Sequence, residues 1–149
     1  MRILIQRVSR ASVSVREEKL GAIDSGLLLF IGIEEADERE DIDWLVQKIP
    51  NMRIFSDSEG KMNLSLLDIK GSLLCISQFT LHANTKKGNR PSFIRAAKPA
   101  IALQRYREIM DAFRMQGIEV AEGQFGEHME VSLVNDGPVT IWLDSKNRE

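Results

Sequence analysis

At 149 residues, with 43% apolar and 28% charged residues, the chain has the size and composition of one folded domain spanning residues 1–149. Its longest apolar run, Gly26 to Ile33, is far too short to cross a bilayer, and the start Met1-Arg2-Ile3-Leu4-Ile5-Gln6-Arg7 lacks the apolar core and cleavage site of an export signal. The lone Cys75 excludes an internal disulfide and a cysteine-rich zinc site, so the composition predicts a cytoplasmic protein without membrane contact.

Residues Arg2 to Val8 alternate as a strand, and Ala11–Val15 with Lys19–Ile23 flank a polar Arg16-Glu17-Glu18 turn, the pattern of a hairpin. After Asp24-Ser25-Gly26, the continuous apolar run to Ile33 suits a central strand buried on both faces. Asp37 is placed to cap a helix from about Glu38 to Ile49, with Ile42, Leu45, Val46 and Ile49 on one side and Pro50 as its stop. Arg53-Ile54-Phe55 and Met62-Asn63-Leu64 bracket another turn. A buried strand, Ser72 to Ile76, leads into a long polar stretch from Ser77 to Pro91. The second helix is predicted over Pro99–Met115, with Pro99 in its first turn and Gly117 as its end signal. Glu119–Ala121, Glu130–Val134 and Val139–Leu143 complete roughly eight strands and two helices. The fold class is mixed α/β: one domain with mixed or largely antiparallel sheets, hairpins and two main helices.

The net charge of −2 conceals an uneven distribution. Residues 69–107 hold eight basic and no acidic side chains, whereas the remainder holds 12 basic and 22 acidic ones. That segment can present a positive face to phosphate or serve simply as a solvated surface. A non-catalytic RNA- or DNA-binding module using it is therefore one reading of the chain.

The familiar catalytic motifs are missing. Neither glycine-rich phosphate loop occurs, nor a G-x-S-x-G elbow, and the two histidines, His82 and His128, do not form an H-x-x-x-H pair. Cys75 and His82 can be imagined as a thiol–imidazole pair in an esterase or peptidase, but Leu73-Leu74-Cys75-Ile76 reads as core. The reading calls for no metal and no cofactor.

Two segments remain. Ser77-Gln78-Phe79-Thr80-Leu81 lies where a buried strand emerges, and offers two hydroxyls, an amide and the N–H groups of Phe79 and Thr80 as an anion-binding nest. It can equally be a polar strand end with Phe79 in the core. Asn135-Asp136-Gly137-Pro138 reads as a tight turn between the last two strands. It is either an ordinary hairpin or, if the Gly137–Pro138 bond is cis, a rigid main-chain device with its carbonyls aligned.

These segments, with Asn135-Asp136-Gly137-Pro138-Val139-Thr140 read as a whole, resemble the two defining motifs of the D-aminoacyl-tRNA deacylase family. The start Met1-Arg2-Ile3-Leu4-Ile5-Gln6-Arg7-Val8 and the segment Lys87-Gly88-Asn89-Arg90-Pro91-Ser92-Phe93 resemble it too. Beginning with Ser77-Gln78-Phe79, the first motif is similar to the chirality-checking branch of Gly-cisPro type. The resemblance implies hydrolysis of the ester that joins a D-amino acid to the 3′-terminal ribose of tRNA. It implies a homodimer with the site at the subunit interface. One subunit would supply Ser77, Gln78, Phe79 and Thr80, and the other Gly137 and Pro138, with Arg7 holding that turn. Lys86, Lys87 and Arg90 are the candidates for tRNA contact.

If the substrate ammonium and ester carbonyl are both pinned, backbone at Gly137-Pro138 crowds the position of an L side chain, while a D side chain points outward. Glycine offers nothing to crowd, so glycyl-tRNA is expected to be hydrolysed as well. Two nucleophiles stay open: Thr80 itself, or a water assisted by the neighbouring ribose 2′-hydroxyl.

Overall fold

The long first strand, β1 (Arg2–Val15), organises the molecule, which is described over residues 1–149 in a computed structural model. Its first half pairs antiparallel with β3 (Gly26–Gly32), its second half with β2 (Glu18–Ile23), and both halves with β8 (Glu130–Asp144) on the other side. The two strands predicted over Arg2–Val8 and Ala11–Val15 are thus one. Alternation fails from Arg7 to Arg10, where two consecutive buried residues are followed by two exposed ones and the register to β8 shifts twice. From β3 the sheet continues in parallel through β6 (Ser72–Ser77) to β7 (Val120–Glu122). β2 comes back against β7, so the sheet curls on itself.

This curl explains why β3 is apolar on both faces. Leu27, Leu29 and Ile31 face α1 (Arg39–Asn51) and α2 (Pro99–Met115) in a core with Ile42, Leu45, Ile49, Tyr106 and Phe113. Leu28 points the other way, into a smaller cluster inside the curl with Val8, Val13, Leu74 and Ile76. Full burial of each such leucine is worth about 1.5–3 kcal/mol. Cys75 sits in the larger core, and burial pushes its thiol up to about 12, which removes it as a nucleophile. A two-stranded ribbon, β4 (Phe55–Ser56) with β5 (Met62–Leu64), covers one end. No helix is long and apolar enough to cross a membrane.

α2 has the predicted bounds, with Pro99 in its first turn and Gly117, at φ +79°, just beyond its cap. α1 differs from expectation at both ends. Its cap is Glu38, whose N–H donates to the Asp41 carboxylate at 2.8 Å in a capping box. Burial raises the Asp41 carboxyl, but the Glu38 N–H and the Lys146 ammonium outweigh it and hold the group down to about 2. Asp37 is drawn away from the cap position because its carboxylate accepts from the Met1 amino group and from the Glu34 N–H. Pro50 does not stop the helix but lies within its last turn. The carbonyl of Val46 that Pro50 cannot serve accepts instead from the Gln116 side chain at 3.3 Å.

β8 is the larger correction. Glu130–Val134 and Val139–Leu143 are not two strands of a hairpin, since both pair with β1 along one continuous line. Between the pairs Gln6↔Thr140 and Val8↔Asn135, the four residues Asp136 to Val139 stand opposite the single residue Arg7. The excess chain leaves the ladder as a loop on an edge strand.

Candidate active site

Ser77 ends β6 beside β3, and Gln78 donates its N–H to the Ile31 carbonyl at 2.8 Å before the chain turns off the sheet. Phe79–His82 then form a single 3-10 turn. The turn sits directly on Gly32, where a Cβ would stand 2.9 Å from the Leu81 Cβ and 3.0 Å from the Gln78 carbonyl oxygen. Only glycine leaves room for that approach.

The 3-10 turn leaves its first N–H groups, those of Phe79 and Thr80, without an acceptor in the chain. Phe79 is not in the core: it is 56% exposed, and its ring meets Phe93 edge-on at 5.1 Å. The Thr80 hydroxyl accepts from the Gln78 side-chain amide at 2.6 Å. Neither histidine is hydrogen-bonded to it. His82 is buried against Gly32, and burial holds its imidazole below the usual range while Glu34 opposes that shift.

Beside the turn lies a cleft of about 670 Å³. Ser77, Gln78 and Phe79 form one wall; Phe93, Lys98, Phe125, His128 and Met129 contribute others. Phe125, His128 and Met129 come from the irregular segment between β7 and β8, and Lys98 from the entry to α2. Nothing periodic in the sequence marks any of these four as a site residue.

Gly137 and Pro138 are joined by a cis peptide bond, with Gly137 at φ +125°. Both are exposed, and neither lines the cleft of their own chain. Arg7, only 7% exposed, braces the loop from β1. Its Nε donates to the Asp136 carbonyl at 3.0 Å and lies 3.3 Å from the Asp136 carboxylate, while Nη1 donates to the Ile54 carbonyl at 2.6 Å. Asn135 closes the neck: its side-chain oxygen accepts from the Val139 N–H and its amide donates to the Thr140 hydroxyl.

Lys86, Lys87 and Arg90 lie on an exposed arm pinched by the Asn84–Ser92 bridge. They carry no ion pair, unlike Arg95 and Arg105 of the same basic segment, which are paired with Glu34 and Glu108. Lys98, beside the cleft, is likewise without an ion pair, as are Lys70 and Arg107 elsewhere in the segment.

Comparison with known proteins gives this geometry a family. The model described as D-Tyr-tRNA(Tyr) deacylase matches residues 4–144. Proteins named D-aminoacyl-tRNA deacylase from Bacteroides fragilis and Bifidobacterium animalis subsp. lactis are 55% and 52% identical; the first match covers 100% of both chains and the second 98% of both. The solved structure of a protein named c-Myc DNA Unwinding Element Binding Protein superposes with a TM-score of 0.91 at 38% identity, covering 97% of this chain and 98% of that one. A second, that of a probable eukaryotic D-amino acid tRNA deacylase, shares the fold with a TM-score of 0.82 at 16% identity over 95% and 97% of the chains. With a family model spanning nearly the whole chain and relatives above half identity, the chain belongs to the D-Tyr-tRNA(Tyr) deacylase family.

Proposed function

We propose that the chain hydrolyses the ester of D-aminoacyl-tRNA as a homodimer, residues 1–149 of each protomer acting as one domain in the cytoplasm. The carrying observation is the position of the Gly137–Pro138 loop. It is braced by Arg7 and Asn135 yet projects from the open edge of the sheet, outside the cleft of its own chain. A loop so ordered and so exposed is suited to completing the site of a second copy.

In that assembly the ester carbonyl oxygen is placed at the unpaired N–H groups of Phe79 and Thr80, which stabilise the oxyanion as water adds. The partner's loop crowds the position of an L side chain, so L-aminoacyl esters cannot seat, whereas D side chains point away and glycine is admitted. The aromatic cleft with Lys98 takes the terminal nucleoside and its phosphate, and Lys86, Lys87 and Arg90 hold the acceptor stem. The attacking group is water assisted by the ribose 2′-hydroxyl. The Thr80 hydroxyl is engaged by Gln78 and has no imidazole to take its proton, which supports this choice.

A deacylation assay with D-tyrosyl-, L-tyrosyl- and glycyl-tRNA tests the reading. Rapid release from the D and glycyl substrates with the L substrate spared is expected, and equal rates on both tyrosyl esters would defeat it. The name of the 38%-identical relative, a DNA-unwinding-element binding protein, and the free lysines of the arm favour a second reading, nucleic-acid binding without catalysis. It requires no turnover, and affinity that falls steeply with salt but is indifferent to Gly137.

A further inference from the structure

The 3-10 turn is held to the sheet at both ends. At its entry the Gln78 N–H reaches the Ile31 carbonyl; at its far end the Leu81 carbonyl accepts from Arg2 Nη1 at 3.0 Å. Arg2 is the first residue of β1 and is paired on one side with Gly32, the floor of the turn, and on the other with Asp144, near the end of β8. Its Nε donates to the Asp144 carboxylate at 3.0 Å, and its guanidinium carbon lies 5.6 Å from the centre of the Trp142 ring. The Arg2 and Asp144 side chains are 21% and 13% exposed, so solvent screens this contact less than a surface pair.

A carboxylate on one edge, a carbonyl on the next and an indole against the face fix the guanidinium in position and orientation. An arginine can serve all three at once; a lysine ammonium cannot. The carbonyl it grips belongs to the same turn whose first two N–H groups have no acceptor in the chain.

We propose that Arg2 is a positioning residue for the reaction: braced by Asp144 and Trp142, it holds the Leu81 carbonyl and so sets the aim of the Phe79 and Thr80 N–H groups. Because Asp144 and Trp142 lie on β8, the same guanidinium ties the turn to the strand that bears the Gly137–Pro138 loop. The inference rests on the proposed oxyanion role of those N–H groups. Aim matters there, since donor misplacement of about 1 Å costs on the order of a hundredfold in rate.

The test compares Arg2→Lys, Arg2→Ala and Asp144→Asn with the unaltered chain, measuring kcat and KM on D-tyrosyl-tRNA, melting temperature and backbone amide NMR shifts. Arg2→Lys is expected to lower kcat roughly 10- to 100-fold, with KM within about threefold and the fold intact. Asp144→Asn keeps an acceptor and should lose less. Added guanidinium ion should restore part of the Arg2→Ala kcat, while methylammonium should not. The Phe79, Thr80 and Leu81 amides should shift in Arg2→Lys. A kcat for Arg2→Lys within twofold of the unaltered chain would overturn the proposal. So would losses that follow the melting temperature alone, with no guanidinium rescue and unmoved Phe79–Leu81 amides. An unaltered chain inactive on D-tyrosyl-tRNA would instead defeat the deacylase reading, and the amide shifts would still report on Arg2. If Arg2→Ala does not fold, Arg2→Lys and Asp144→Asn decide.

Discussion

The Phe79–His82 turn grows out of β6, a strand buried within the sheet, whereas the Asp136–Val139 loop stands off β8 at its open edge. The turn is fixed by packing: Gly32 beneath it, Ile31 at its entry, Arg2 at its exit. The loop has no such floor and depends on the Arg7 guanidinium and the Asn135 side chain. A group that must bind the same ester atoms in every substrate suits the first construction. A group that must enter another subunit's site and touch nothing of its own suits the second. Damage to the turn should therefore slow all substrates alike, and damage to the loop should change which substrates are accepted.

The largest effect is expected at Gly137. A Cβ there would lie 2.8 Å from Arg7 Nη2, and φ +125° is a conformation that side chains rarely adopt. Gly137→Ala should move the loop and its brace together and lower the ratio of D- to L-tyrosyl-tRNA hydrolysis by roughly a hundredfold or more. Its melting temperature should fall by several degrees, the shift that about 1–3 kcal/mol of strain at the loop and its buried brace produces. An unchanged ratio in a steady-state assay would show that the loop is not part of the site.

The next pair separates the two constructions. Arg7→Ala frees the loop at its base, and the ratio of D- to L-tyrosyl-tRNA hydrolysis should fall roughly 10- to 100-fold. Gly32→Ala instead raises the turn from its floor, so kcat should fall about tenfold with that ratio unchanged. If both variants change the same parameter, the division of labour is wrong.

Much of this arrangement was legible locally. β3, β6 and α2 declare themselves because burial on both faces and helical periodicity need no knowledge of distant partners. What failed was non-local. Asn135-Asp136-Gly137-Pro138 has the chemistry of a turn, and only pairing of both flanks with β1 shows that the chain continues in the same direction. Asp37 and Glu38 are adjacent acids equally able to cap, and the Met1 amino group, distant in sequence but in contact with Asp37, decides between them. Of the proposed site, Ser77–Thr80, Gly137–Pro138 and Arg7 are marked by motifs, whereas Phe125, Met129 and Lys98 meet only when segments distant in the chain converge on the cleft.

A smaller effect concerns pH. His82 is packed with the turn, faced by Arg2, Glu34 and the Met1 amino group, and burial lowers its imidazole below the ordinary 6.5. The unfolded chain thus takes up a proton before the folded one does. This contribution to stability is complete above pH 6.5 and is lost as pH falls through the folded-state value. Thermal melts from pH 8 to about 5 should show a decline that His82→Leu flattens; an identical decline in the variant would assign it to other groups.

The mildest change is expected at Thr80. Its hydroxyl accepts from the Gln78 amide at 2.6 Å and has no histidine bonded to it, so in the proposed reaction its part is to hold Gln78 rather than to attack. Thr80→Val keeps the shape of the side chain and removes the acceptor. D-tyrosyl-tRNA hydrolysis should then remain within about tenfold of the unaltered chain, a loss of the size a positioning hydrogen bond carries rather than that of a nucleophile. The complementary substrate, D-tyrosyl-tRNA ending in 2′-deoxyadenosine with the ester on its 3′-oxygen, should be nearly inert to both proteins. If Thr80→Val is dead and the deoxy substrate is cleaved normally, the hydroxyl attacks and an acyl-enzyme should be trapped on Thr80. In that case the turn supplies the nucleophile as well as the oxyanion donors, and its packed floor serves to aim an oxygen as well as two N–H groups.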